Sequence, residues 1–160
     1  MQIYGRDTLS TEEIWQLYQF IIQTPELWRP ETFKEAAKKC GLSRVAAREG
    51  YFSFTGKKNI KGQAHIVNNF VEEIRFFIVN EPRNLTEELY KKDRHKVKQL
   101  AAEYSTKFKQ QLGEPRVSSN NDIFEYNDHR LRVLPNNQIW VVISKLSILK
   151  QLPNDWWAEK

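Results

Sequence analysis

The sequence predicts an α+β domain, with about five helices followed by a small C-terminal antiparallel β-meander. Three observations lead there. Apolar residues recur at helical spacing through most of the first 112 positions. Gly and Pro punctuate that pattern at Pro25, Pro30, Gly41, Gly50, Pro82, Gly113 and Pro115. Past a polar stretch at 118–122 the texture changes to short β-type runs separated by turn formers. A chain of 160 residues, 40% hydrophobic and 12% aromatic, can build its own core. The organisation expected is a helical domain over 1–116 with a β-rich subdomain, 117–160, packed on it.

Ser10 followed by Glu13 forms a capping box that opens the first helix. Ile14, Leu17, Tyr18 and Ile21 give that helix an apolar stripe, and Pro25 and Pro30 close the segment with Leu27 and Trp28 as a core plug. A second helix is expected from about Glu31 to Cys40, with Phe33, Ala36, Ala37 and Cys40 on one face and Gly41 as its stop. Ser43 caps a short third helix through Glu49, ended by Gly50. The run 63–79 reads as a fourth helix, because Ile66, Phe70, Ile74 and Phe77 line one side. Asn84 with Glu87 opens a long fifth helix, 85–112, terminated by Gly113 and Pro115. Runs 123–126, 129–134 and 138–143 then form the meander, turning at Asn127-Asp128 and Pro135-Asn136-Asn137. Residues 145–152 have the pattern of one more short helix, and no internal repeat is visible.

Residues 33–52, from Phe33 through Ala36-Ala37, Cys40-Gly41-Leu42-Ser43-Arg44 and Ala47-Arg48 to Phe52, resemble the helix-turn-helix of DNA-binding proteins. In that motif a small residue, here Ala37, precedes a turn glycine, here Gly41, by four positions. The resemblance implies a unit over 31–50 whose second helix, starting at Ser43, enters a major groove and presents Arg44 and Arg48 to base edges. Gly50 departs from the motif, which has a branched apolar residue there.

Charge points the same way. The net charge is +5, and the excess lies in two islands, 30–63 with eight basic and three acidic residues and 84–116 with eight and five. A basic island is the footprint expected for a polyanion. The nucleic-acid-binding set is therefore Lys34, Lys38, Lys39, Ser43, Arg44, Arg48, Lys57, Lys58 and Lys61. The partner expected is nucleic acid, in the first place double-stranded DNA, for a regulator or an accessory factor in replication or recombination. A homodimer through the aromatic C-terminal region (Phe124, Tyr126, Trp140, Trp156, Trp157) would suit paired recognition elements.

Two other classes stay open: a protein-interaction or inhibitor module of phage or mobile-element type, whose basic face meets an acidic protein, and a metal-dependent nuclease using Asp122, Glu125 and Asp128. Against the nuclease, Ile143 stands where such enzymes carry a second metal carboxylate two residues before Lys145. His65, His95 and His129 lack the spacing of a zinc helix. The Lys57-Lys58 loop lacks the glycine-lysine-hydroxyl triplet of a phosphate-binding loop. No catalytic residue, metal or cofactor is expected. One cysteine excludes an internal disulfide, and the absence of a long apolar run or an apolar leader suggests a cytoplasmic or nucleoid-associated protein.

Overall fold

The computed structural model describes residues 1–118 and 121–152. The chain starts with a minimal hairpin, β1 (Gln2–Ile3) and β2 (Arg6–Asp7), turning at Tyr4 and Gly5, both at positive φ. Helix α1 (Thr11–Ile22) carries the expected capping box, Glu13 N–H donating to Ser10 Oγ at 3.1 Å and Ser10 N–H to Glu13 Oε1 at 2.9 Å. A 3-10 turn at Pro25–Trp28 drives Leu27 and Trp28 into the core. Helix α2 (Pro30–Lys39) follows, and Gly41, at φ 79°, turns the chain out of it.

The chain beyond Gly41 departs from the sequence reading. Ser43–Arg48 is strand β3, not a helix, and the predicted helix over 63–79 is a hairpin of β5 (Lys61–Val67) and β6 (Phe70–Phe77). Strand β4 (Tyr51–Thr55) lies between β3 and β5. Physical signals for both turns are present: Gly50 has φ 82°, and Asn68-Asn69 has φ 51° and 63°, the left-handed pair of a tight hairpin. The spacing Ile66, Phe70, Ile74 that mimics a helix is carried by branched and aromatic residues that suit strands equally well. The helix-turn-helix-like unit is thus a helix-turn-strand. Ala37 is fully buried as anticipated, but against the sheet: α2 contacts β3, and its Phe33 stacks on Phe52 of β4 at 4.7 Å.

The long helix α3 (Glu87–Leu112) is present, capped by Thr86 rather than Asn84. Strands β7 (Arg116–Ser118), β8 (Asn121–Tyr126), β9 (His129–Leu134) and β10 (Trp140–Lys145) complete the β region, and α4 (Leu146–Leu149) follows. The class is α+β, with four α-helices and a sheet far larger than expected. β3 to β10 form one antiparallel sheet of eight strands in the order β3-β4-β5-β6-β10-β9-β8-β7. An arrangement invisible in the sequence emerges here. A helix closed by a positive-φ glycine and followed by four strands occurs twice, as α2 with β3–β6 and α3 with β7–β10. The two meanders join through their last strands, β6 and β10.

The core lies between the helices and one face of the sheet. Register aligns Phe52, Ala64, Ile74, Ile143, Leu131 and Phe124 in one cross-strand row and Phe54, Gly62, Phe76, Val141 and Val133 in the next. Directly paired residues share a face, and these pack with Tyr18, Phe33, Leu100, Tyr104 and Phe108 in one contiguous cluster. Gly62 is required by its neighbours. A Cβ there would fall 2.2 Å from the Phe54 ring, which packs edge-on to Phe76 at 5.5 Å. Gly62→Ala is expected to cost about 1–3 kcal/mol through this overpacking, read as a shift in urea midpoint at constant slope. An unchanged midpoint would mean that the two rings do not close over residue 62. Among the described residues no helix is long and apolar enough to cross a membrane.

Candidate binding surface

The nine residues selected from sequence do not converge. Lys34, Lys38 and Lys39 stand exposed on α2, Lys38 near Glu35 at 3.6 Å. Ser43 Oγ donates to the Thr55 carbonyl at 3.4 Å, and Arg44 sits in a bulge of β3 at φ 51°. With Arg48 at the far end of the strand, the two arginines are about 13 Å apart along the chain instead of one helical turn. Their residue types answer a structural need. β3 is an edge strand, and a bulge with exposed charges is how edges resist pairing with another chain.

Lys57 and Lys58 both pair with Glu13 at the surface, at 2.8 and 2.7 Å, and Lys58 also donates to the Thr8 carbonyl at 3.2 Å. The hydrogen bonds from Lys57 and Lys58, and from the Ser10 backbone, hold the Glu13 carboxyl down at about 2. The depressed pKa makes this stabilisation complete above the ordinary carboxylate range, with loss as pH falls from about 4.5 towards 2. Glu13→Gln keeps the capping box but loses the charge. It should destabilise by about 1–2 kcal/mol at pH 7, discounted for the exposed lysine ends, and by nothing near pH 2. Melting curves of the two proteins across pH check this; a gap that persists at pH 2 contradicts the ion-pair assignment.

The carboxylates considered for a nuclease are also separated. Asp122 is in register with Val133 on the helix side of the sheet, whereas Glu125 shares the opposite face with Arg130. Asp128, at the β8–β9 tip, accepts from the Ser147 amide at 3.0 Å and the Ser147 hydroxyl at 2.5 Å, anchoring the start of α4. Side chains on two faces and at a hairpin tip cannot share one ion. Of the C-terminal aromatics, Phe124 packs against Phe108 in the core, Tyr126 is exposed, and Trp156 and Trp157 lie outside the described residues.

What the register does assemble is the face of the sheet turned away from the helices. One row runs Arg48, Tyr51, His65, Glu73, Ser144, Arg130, Glu125. The next runs Ser53, Gln63, Arg75, Val142, Arg132, Ile123, Arg116. A third brings Thr55, Lys61, Phe77, Trp140 and Leu134 together. Val142 and Ile123 are buried but stand apart from the main core, flanked in their row by arginines whose aliphatic stems can cover them.

Internal bonds fix this face. The Arg75 guanidinium pairs with Glu73 and lies 4.7 Å above the Trp140 ring, while Trp140 meets Phe77 edge-on at 5.3 Å. Glu73 is also 3.6 Å from Arg132, and Glu125 receives Arg130 at 3.0 Å and Arg116 at 3.3 Å. Tyr51 stacks on His65 at 5.9 Å, and His65 Nε2 is 3.1 Å from Gln63 Oε1. Burial and the positive charge of Arg75 lower the His65 pKa against the pull of Glu73. Among the described residues, these rows hold six arginines and lysines (Arg48, Lys61, Arg75, Arg116, Arg130 and Arg132, of which Arg130 is buried) and two carboxylates. Of this surface, the nucleic-acid-binding set chosen from sequence holds only Arg48 and Lys61, while Trp140 and Glu125 were singled out for other roles. The polar–apolar alternation of β9, Arg130 and Arg132 taking turns with Leu131 and Val133, was the one available signal.

No protein-family model, curated protein sequence or solved structure matches the chain.

Proposed function

We propose that this protein is a binding module that docks an acidic protein surface on the outer face of its sheet. The observation that carries the reading is a positively charged face built from Arg, Trp, Tyr and Phe and held in place by its own bonds. Those residue types supply most of the binding energy at protein interfaces, and side chains already fixed lose less entropy on association. A protein fits this face better than a nucleic acid does. Arg75 covers a face of Trp140 and His65 a face of Tyr51, which leaves few ring faces for bases. This is the interaction or inhibitor class anticipated from sequence, on a different surface.

A photo-crosslinking amino acid at Phe77, compared with one at the exposed Phe20 of α1, tests the proposal in extracts of the producing cells. The reading requires one acidic protein, identified by mass spectrometry, to be captured from position 77 and not from 20. It requires the purified pair to bind and Trp140→Ala to weaken the complex. Crosslinks to nucleic acid at position 77, or equal capture at both positions, would overturn it.

A further inference from the structure

The second basic island occupies another side of the molecule. Two cavities of about 550 and 350 Å³ lie end to end along α3, sharing Lys98 and Pro135 in their walls. They form a groove between α3 and the helix-side residues Asp122 and Val133 of β8 and β9. Its cations differ from those of α3 that turn toward the body of the protein. Lys96 and Lys107, which turn toward the body of the protein, are ion-paired with Asp93 and Glu12. Arg94, Lys98 and Lys109, which line the groove, are exposed and have no ion-pair partner among the described residues. Arg94 and Lys109 are fifteen residues apart, roughly 22 Å along the helix. Between them the floor is small and hydroxyl-bearing, with Ala102, Ser105 and Thr106, so an extended chain can approach the helix closely. At the far end Tyr90 is 37% exposed, and its ring is backed by Tyr4 at 6.0 Å and 17°, a flat and supported aromatic surface.

We infer that this groove binds a single-stranded nucleic acid, its phosphates along Arg94, Lys98 and Lys109 and a base on Tyr90. Cations tracking a groove and an aromatic platform at its end are the two elements of single-strand binding. An acidic peptide would use the cations but has no need of the supported ring. The inference is independent of the proposed protein-binding face, which lies on the other side of the sheet.

The test is fluorescence anisotropy of labelled oligothymidylate and oligouridylate of about 15 nucleotides, a duplex of equal length and an oligoglutamate, with the purified protein. The single strands should bind more tightly than duplex or oligoglutamate. The slope of log affinity against log salt should be near −2, at roughly 0.7 per phosphate for three contacts. Lys98→Ala with Lys109→Ala should bring that slope to about −1 or shallower. Tyr90→Ala, which removes a ring 37% exposed and backed by Tyr4, should weaken binding about 5- to 100-fold in a protein that is still folded at the assay temperature. Trp140→Ala should leave the oligonucleotides bound as before, so the groove and the sheet face succeed or fail separately. Absence of single-strand binding at low salt, equal binding of oligoglutamate, tighter binding of duplex, or indifference to the lysine pair and Tyr90 each overturns the inference.

Discussion

Phe108→Ala should lower the unfolding free energy by about 3–5 kcal/mol, the range for deleting a buried aromatic ring. Phe108 is completely buried where three elements meet: its ring lies 6.2 Å from Trp15 and 5.6 Å from Tyr18 of α1, and 5.9 Å from Phe124 of β8. Truncation therefore opens a cavity that neither helix nor sheet can close alone. For a chain of this size the change amounts to roughly 6–20 °C in melting temperature. Phe20→Ala is the matched control, because Phe20 is 52% exposed and should stay within about 0.5 kcal/mol of the parent. A cost below about 1 kcal/mol at Phe108 would show that α3 is not seated on β8.

The second large effect has the opposite sign. Glu72 is on β6 with only 5% of its surface exposed, and no hydrogen bond or ion pair among the described residues reaches its carboxyl. Burial, reinforced by the neighbouring Glu73 and opposed by Arg75 and Arg132, pushes its pKa up to about 8. A carboxyl whose native pKa is raised holds its proton more tightly folded than unfolded. Wild type and a neutral isostere should then match below about pH 4.5, and wild type should lose stability steadily as pH climbs to about 8. Glu72→Gln is expected to be more stable than wild type by on the order of 2–4 kcal/mol at pH 8, with no gain at pH 4. Denaturant titrations at the two pH values decide this. An equal effect at both would place the cause in packing, and a loss at pH 8 would mean that the carboxylate is ionised and satisfied.

Much of the helical half was legible because its signals are local. Ser10 and Glu13, Pro30 and Gly41, and the 26-residue α3 with Gly113 behind it are each specified within a few positions. The C-terminal strands were legible through the alternation of β9 and the Asn127-Asp128 turn. The segment 43–79 was not, because its outcome depends on pairing. Ala46 and Ala47 favour a helix in isolation, yet register with Ser53 and Phe52 fixes them as strand. Asn68-Asn69 was the turn signal that distinguished two short strands from one amphipathic helix, and the apparent 3.6 period masked it. The repeat of a helix and four strands escaped notice since it lies in the order of elements, not in residue identity.

The binding surface was hidden for a related reason. Arg75, Arg132, Trp140 and Phe77 are far apart in sequence and meet only through the pairing of β6, β9 and β10. Charge counting located islands by sequence position and so pointed to Lys57 and Lys58, which the fold pairs with Glu13. Arg75, Arg130 and Arg132 of the sheet face lie in stretches whose net charge is near zero, where Glu73 and Glu125 cancel them in the count but hold them in place in the structure.

The central claim is that the outer sheet face is where the partner binds, and the most direct measurement is the affinity of the purified partner for wild type and for Trp140→Ala. Trp140 carries Arg75 over its ring face and meets Phe77 edge-on. Its removal should therefore cost at least about 2 kcal/mol, roughly 30-fold in Kd, as expected of a central interface residue. Lys34→Ala, on the exposed side of α2, should change Kd by less than about twofold. An unchanged Kd for a folded Trp140→Ala protein, or a larger loss at Lys34, would contradict the assignment of the partner to this face.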